Sequence, residues 1–131
     1  MTQSNQQQDA FIAQAEDIAV LLYAQEVLSS GRPALPPDAE VIPGIKADDV
    51  NTAMERSTSL LGRADIRQRI CPGLLSINDD IKEICKVVGA VLFPLSLVPA
   101  STIPLSPLVV AAIAVMVLRA GIKTICHSKT S

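Results

Sequence analysis

"VVGAVLFPLSLVPASTIPLSPLVVAAIAVMVL", residues 87–118, runs for thirty-two residues without a charged side chain. Such a stretch is either a segment buried in lipid or the core of a small helical bundle. Taking Pro99 to Pro104 as a turn leaves two legs, about 81–98 and 105–122, of eighteen residues each. At a rise of ~1.5 Å per residue each leg is about 27 Å long, against a hydrocarbon core of ~30 Å. That is marginal for a spanning pair and comfortable for a re-entrant one. Pro94, Pro99, Pro104 and Pro107 form the hinge of the expected hairpin.

The charges around the stretch favour the same hairpin. Arg63, Arg67, Arg69, Lys82 and Lys86 precede it, Arg119, Lys123 and Lys129 follow it, and no acid comes after Glu83. Basic flanks stay on the cytoplasmic side, so an even number of crossings keeps both on one side and leaves the uncharged "PASTIP" across. Lys82, Lys86, Arg119 and Lys123 are the basic flanks that would sit at the surface. "IKEICK" at 81–86 and "IKTICH" at 122–127 echo one another and bracket the stretch, as matched collars at one depth would. Gly89, Ala111, Ala112 and Ala114 are small enough to let helices approach closely and are the candidate helix-packing positions.

Against lipid stands the missing aromatic belt, since there is no Trp and Tyr23 is the single Tyr. "LVVAAIAVMVL", residues 108–118, is apolar on every face, and in water such a helix survives only when fully enclosed. The cover on offer is two amphipathic helices and a short basic one. That is scant for two apolar legs, so the membrane reading leads.

Upstream of the legs the pattern is helical and acidic. Residues 1–8 read as a disordered tail. Residues 10–30 place Phe11, Ala15, Ile18, Leu22 and Leu28 near helical spacing. Gly31 and the prolines of "SSGRPALPP" stop that helix, and residues 31–45 read as a proline-rich linker. A second helix over 46–62 has Asp48 as expected cap, a Val50–Met54–Leu60 stripe and Gly62 as its stop. The two stripes are expected to pack together as a helical pair. A basic helix near 63–71 ends at Pro72-Gly73. Asn78 is the expected cap of the next helix, which enters the first leg, and Ser106-Pro107 opens a last helix of about 107–126. No strand alternation competes. The fold class is therefore all-α: a small N-terminal helical module (9–75) plus a C-terminal proline-hinged apolar helical hairpin with a basic tail (76–131).

Residues 1–62 hold nine acids and three bases, residues 63–131 four acids and eight bases, which together give the net charge of −2. The basic half lacks aromatics for stacking on bases, so nucleic-acid binding is not expected. The polar N-terminus opens on no signal-peptide pattern.

Chemistry-bearing residues are sparse. Three cysteines without CxxC spacing argue against a disulfide framework. Cys71, Cys85, Cys126 and His127 could supply zinc ligands, but their spacing is not that of a zinc site, and structural thiols are the simpler reading. His127 has no carboxylate near it in sequence. Ser101, Thr102 and Ser106 have no base within local reach to activate them, and Asp79-Asp80 reads as the charged first turn of a helix. The six glycines are scattered singly, so there is no phosphate loop. No catalytic, metal or cofactor site, no small-molecule substrate and no enzymatic activity is expected.

The expected function is that of a small membrane-embedded protein with both termini cytoplasmic, in an inner or plasma membrane. It would act by self-assembly, as a membrane effector, pore subunit or anchor for a protein partner recruited through residues 9–62. The alternative is a cytoplasmic all-α protein–protein interaction module whose apolar helices form a core or an oligomer interface.

Overall fold

The apolar sequence 108–118 lies in α5 (Pro107–Ala120), and α5 is the helix around which the chain is built. Its side chains from Val110 to Val115, and Val117, are fully enclosed. The computed structural model describes residues 2–29, 36–97 and 105–127. Within them the other elements are α1 (Thr2–Ser29), β1 (Glu40–Ile42), β2 (Ile45–Lys46), α2 (Ala47–Leu61), α3 (Ala64–Leu74), α4 (Ile81–Ser96) and α6 (Ile122–His127). The fold is all-α, with one two-stranded antiparallel hairpin as its only sheet among the described residues.

Three helices sheathe α5. α1, α2 and α4 each pack along it, and α1 and α4 also pack against one another. α3 and α6 close one end, α3 against α4 and α6 against α3 and α5. The apolar surface that α5 needs covered is covered by the chain itself. Each Val or Ile so buried contributes roughly 1.5–3 kcal/mol relative to an exposed one.

The caps explain where the inner helices begin. Ser106 Oγ accepts from the Val109 N–H at 3.2 Å, and Pro107 follows at the first helical position, as Ser106-Pro107 implies. α4 is capped by Asp80, not by Asn78: Asp80 Oδ1 accepts from the N–H groups of Lys82 (2.9 Å) and Glu83 (3.2 Å). α2 is not capped by Asp48: Lys46 stands at the N-cap position, and the Ala47 and Asp48 N–H groups donate to the Ala39 (2.7 Å) and Pro37 (2.9 Å) carbonyls. Asp49 Oδ2 reaches back to accept from the Lys46 N–H at 3.3 Å.

Several boundaries differ from the sequence reading, each for a local reason. α1 begins at Thr2, and the tail expected over 1–8 is helical from there on. The linker contains the β1–β2 hairpin, turned by Pro43 and by Gly44 at φ +81°, a pairing suited to a type II turn. α3 runs through Pro72 to Leu74, because a proline in the last turn of a helix forfeits only one backbone bond. The last helix is interrupted at Gly121, whose φ of +92° ends α5 and lets α6 leave in a new direction.

The expected helical pair of α1 with α2 does not form. No part of α1 approaches α2 among the described residues; both lie against α5 instead. Leu22, Leu60 and Leu61 are buried in one common core with α5, with Phe11, Ile18, Val50 and Met54 packed at its edges. The largest apolar surface in the chain belongs to α5, so both stripes turn to it.

Candidate functional site

α1 is apolar on two opposite faces. Inward it buries Ala15, Ala19 and Leu22. Outward, at spacings of three and four residues, it presents Ala10, Ala13, Asp17, Val20, Leu21 and Ala24, all exposed, with Leu21 45% exposed. An ordinary surface helix is polar on its outer face. Here, between Ala10 and Ala24, the outer face carries Gln14 and one carboxylate, Asp17, among aliphatic side chains, and α1 as a whole has four acids and no base. Tyr23 is exposed beside it.

α4, beside it, is mixed in charge. Its outward residues are Lys82, Glu83, Lys86, Ala90 and Pro94, followed by the exposed Leu97 at its C-cap. Among the described residues Asp17, Lys82 and Lys86 make no ion pair. α1 and α4 run antiparallel and touch closely. A Cβ added at Gly89 would lie 2.7 Å from Ile12 Cγ1, so the absence of a side chain there is what brings α4 against α1. One turn further, the Phe11 and Phe93 rings pack at 5.0 Å between centroids, tilted by 53°.

The candidate positions fall as follows. Gly89 packs α4 on α1, and Ala111, Ala112 and Ala114 are enclosed in α5. Pro94 lies in the last turn of α4 and Pro107 at the first position of α5. Pro99 and Pro104 lie outside the described residues. The basic flanks Lys82, Lys86, Arg119 and Lys123 are all exposed. No helix of the described residues is long and apolar enough to cross a membrane. α4 with 16 residues and α5 with 14 reach only about 24 and 21 Å.

Cys71 and Cys126 form a disulfide, with Cα atoms 5.6 Å apart, and this corrects the expectation of three free thiols. The bond ties α6 to α3. It also breaks the symmetry of the "IKEICK" and "IKTICH" echo, since Cys85 is free and buried while Cys126 is bonded. Burial, and secondarily the Glu16 carboxylate, push the Cys85 thiol up to about 12, so little of it is thiolate at neutral pH.

The remaining polar groups serve the fold. Ser57 Oγ lies 2.7 Å from the Ala53 carbonyl and 3.2 Å from that of Val109, sharing its proton between α2 and α5. Arg67 Nη1 donates to the Leu61 carbonyl at 2.6 Å, satisfying the C-terminus of α2. An open cleft of about 360 Å³ lies between the α3–α4 loop and the α5–α6 corner, lined by Leu74, Ile77, Asp79, Ile122, Lys123 and Thr124 among others. Its lining includes no histidine or cysteine to serve as base or nucleophile.

The sequence reading missed the outward face of α1. Its signal was present: Val20 and Leu21 fall off the Phe11–Ile18–Leu22 stripe, so two apolar faces were already written into the helix. No protein-family model matches this chain, and no curated protein or solved structure does either.

Proposed function

We propose that this chain is a non-enzymatic helical association module. It keeps its apolar C-terminal helices as its own core and docks another protein on the outward face of α1. The observation that carries the reading is the division of apolar surface. α5, the most apolar helix, is enclosed by α1, α2 and α4, while the exposed apolar side chains of α1 stand outside that core. Recruitment through the N-terminal region thus remains the proposed function, with α4 and α5 as its scaffold. A membrane-embedded hairpin would require α5 to give up all three neighbours for lipid, with helices shorter than a bilayer core.

The chemistry of the face specifies the partner. Asp17 sits among Ala13, Val20 and Leu21 with no base on α1, so the partner offers a helix with small apolar side chains and a lysine or arginine. An acid opposite it would be left unpaired on desolvation.

The test is vesicle flotation of the purified chain in detergent-free buffer. The module reading predicts a monodisperse protein that stays at the bottom of the gradient with both neutral and anionic vesicles. Recovery in the floating fraction, or a need for detergent to remain dispersed, would contradict it.

A further inference from the structure

We infer that the Cys71–Cys126 disulfide is a reversible latch: a dithiol reductant opens it and releases α6 from α3, while α1, α2, α4 and α5 stay folded. The bond joins the last turn of α3 to the last turn of α6. α6 is six residues long, well below the ~12–15 at which a helix sustains itself in water. Gly121, with φ +92°, breaks its path from α5, and among the described residues α6 packs only on α3 and α5. Its one buried residue is Ile122, at the end next to α5. Further along, Lys123 and Thr124 are exposed, and Ile125 and Cys126 are partly buried. The far half of α6 is therefore held to α3 chiefly by the covalent bond.

Release is local because the core does not depend on α6. α1, α2 and α4 enclose α5 from Val109 to Val115 and at Val117, and none of them packs on α6. Ile122, Lys123 and Thr124 form one wall of the open cleft whose other wall includes Leu74, Ile77 and Asp79. α6 is thus not close-packed against the α3–α4 loop, and its departure removes that wall without displacing another element. The chemistry is thiol–disulfide exchange. Cys126 is the more exposed partner, with Cys71 only 9% exposed. An incoming thiolate bonds to Cys126 Sγ, the Cys71–Cys126 bond breaks, and Cys71 leaves as a thiolate that takes a proton from water. The second thiolate of the reductant then closes the reductant's own disulfide and frees Cys126. Two electrons pass, so the reductant is oxidised and the protein bond becomes two thiols. Cys85 stays out of the exchange: it is buried in α4, and burial pushes its thiol up to about 12, so it is not a thiolate at neutral pH. Cys71 and Cys126 have only each other to pair with again.

The test is limited trypsin digestion of the full chain with and without dithiothreitol, scored for cleavage after Lys123. Hydrogen exchange on α5 is followed in parallel. Reduction should speed cleavage after Lys123 by roughly tenfold or more, since a protease acts on the locally opened state. The amides from Ile113 to Val117 should stay protected, and oxidised glutathione should restore resistance at Lys123. Cys126→Ser should be cleaved at the reduced rate with or without dithiothreitol. A bond that dithiothreitol leaves intact, an unchanged rate at Lys123, or resistance that does not return on reoxidation overturns the latch. Loss of α5 protection on reduction, or a Cys126→Ser chain that no longer folds, also overturns it, because the bond would then be a staple of the whole fold.

Discussion

Around α5 every direction is apolar and every direction is occupied by the chain's own helices. Around α1 two opposite directions are apolar and only one is occupied. The difference follows from supply. α5 is short and apolar from Pro107 to Leu118, so it gains most by sitting in the middle, where three helices can reach it. α1 spans 28 residues and packs on α5, α4 and β1, which leaves Val20 and Leu21 on its other face exposed among the described residues. Apolar content alone does not tell a core helix from a docking helix. The number of faces that the rest of the chain can cover does.

The comparison can be broken most forcefully at the centre of α5. Ala114 is fully enclosed, and Ala114→Arg would bury an unpaired charge. That should cost on the order of 4 kcal/mol or more, enough to unfold the chain, as thermal melting by circular dichroism would record. A variant that keeps its helicity and melting temperature would mean that α5 faces a polar or open environment.

The Cys71–Cys126 bond acts on both regions alike. It closes a loop of 55 residues and so restrains mainly the unfolded chain, by about 2–4 kcal/mol. Cys126→Ser should lower the melting temperature, and adding reductant to the variant should lower it no further. A wild type whose melting is insensitive to reductant would show that the bond contributes nothing.

The finest probe is a pair of neighbours on α1. Leu22 is buried and Leu21 is 45% exposed. Leu22→Ala should destabilise by about 2–3 kcal/mol, whereas Leu21→Ala should stay within ~0.5 kcal/mol, as surface changes do. Urea titration of both variants measures the contrast. Equal losses would mean that the outward face is part of the core.

Much of this architecture is legible in the residues. The apolar periodicity, the stop at Gly62 and the start at Ser106-Pro107 define an all-α chain, and "LVVAAIAVMVL" announces a helix needing cover on all sides. What the sequence leaves open is who provides the cover. Local periodicity marks Leu22 and Leu60 as inward, but cannot say that both point at α5 and not at each other, because that depends on long-range packing. The Cys71–Cys126 pairing is of the same kind: three cysteines admit several pairings or none, and only the meeting of α3 with α6 selects one. The positive φ of Gly121 also separates two helices that periodicity alone would join.

Native-state hydrogen exchange on α5 addresses the enclosure most directly. In detergent-free buffer without lipid, the amides from Ile113 to Val117 should exchange only through global unfolding, with protection matching the stability from urea titration. Adding vesicles should leave that protection unchanged. Exchange of these amides at the rate of the Ser76–Asp79 loop, or protection that emerges only when lipid is present, would contradict an α5 enclosed by the chain's own helices.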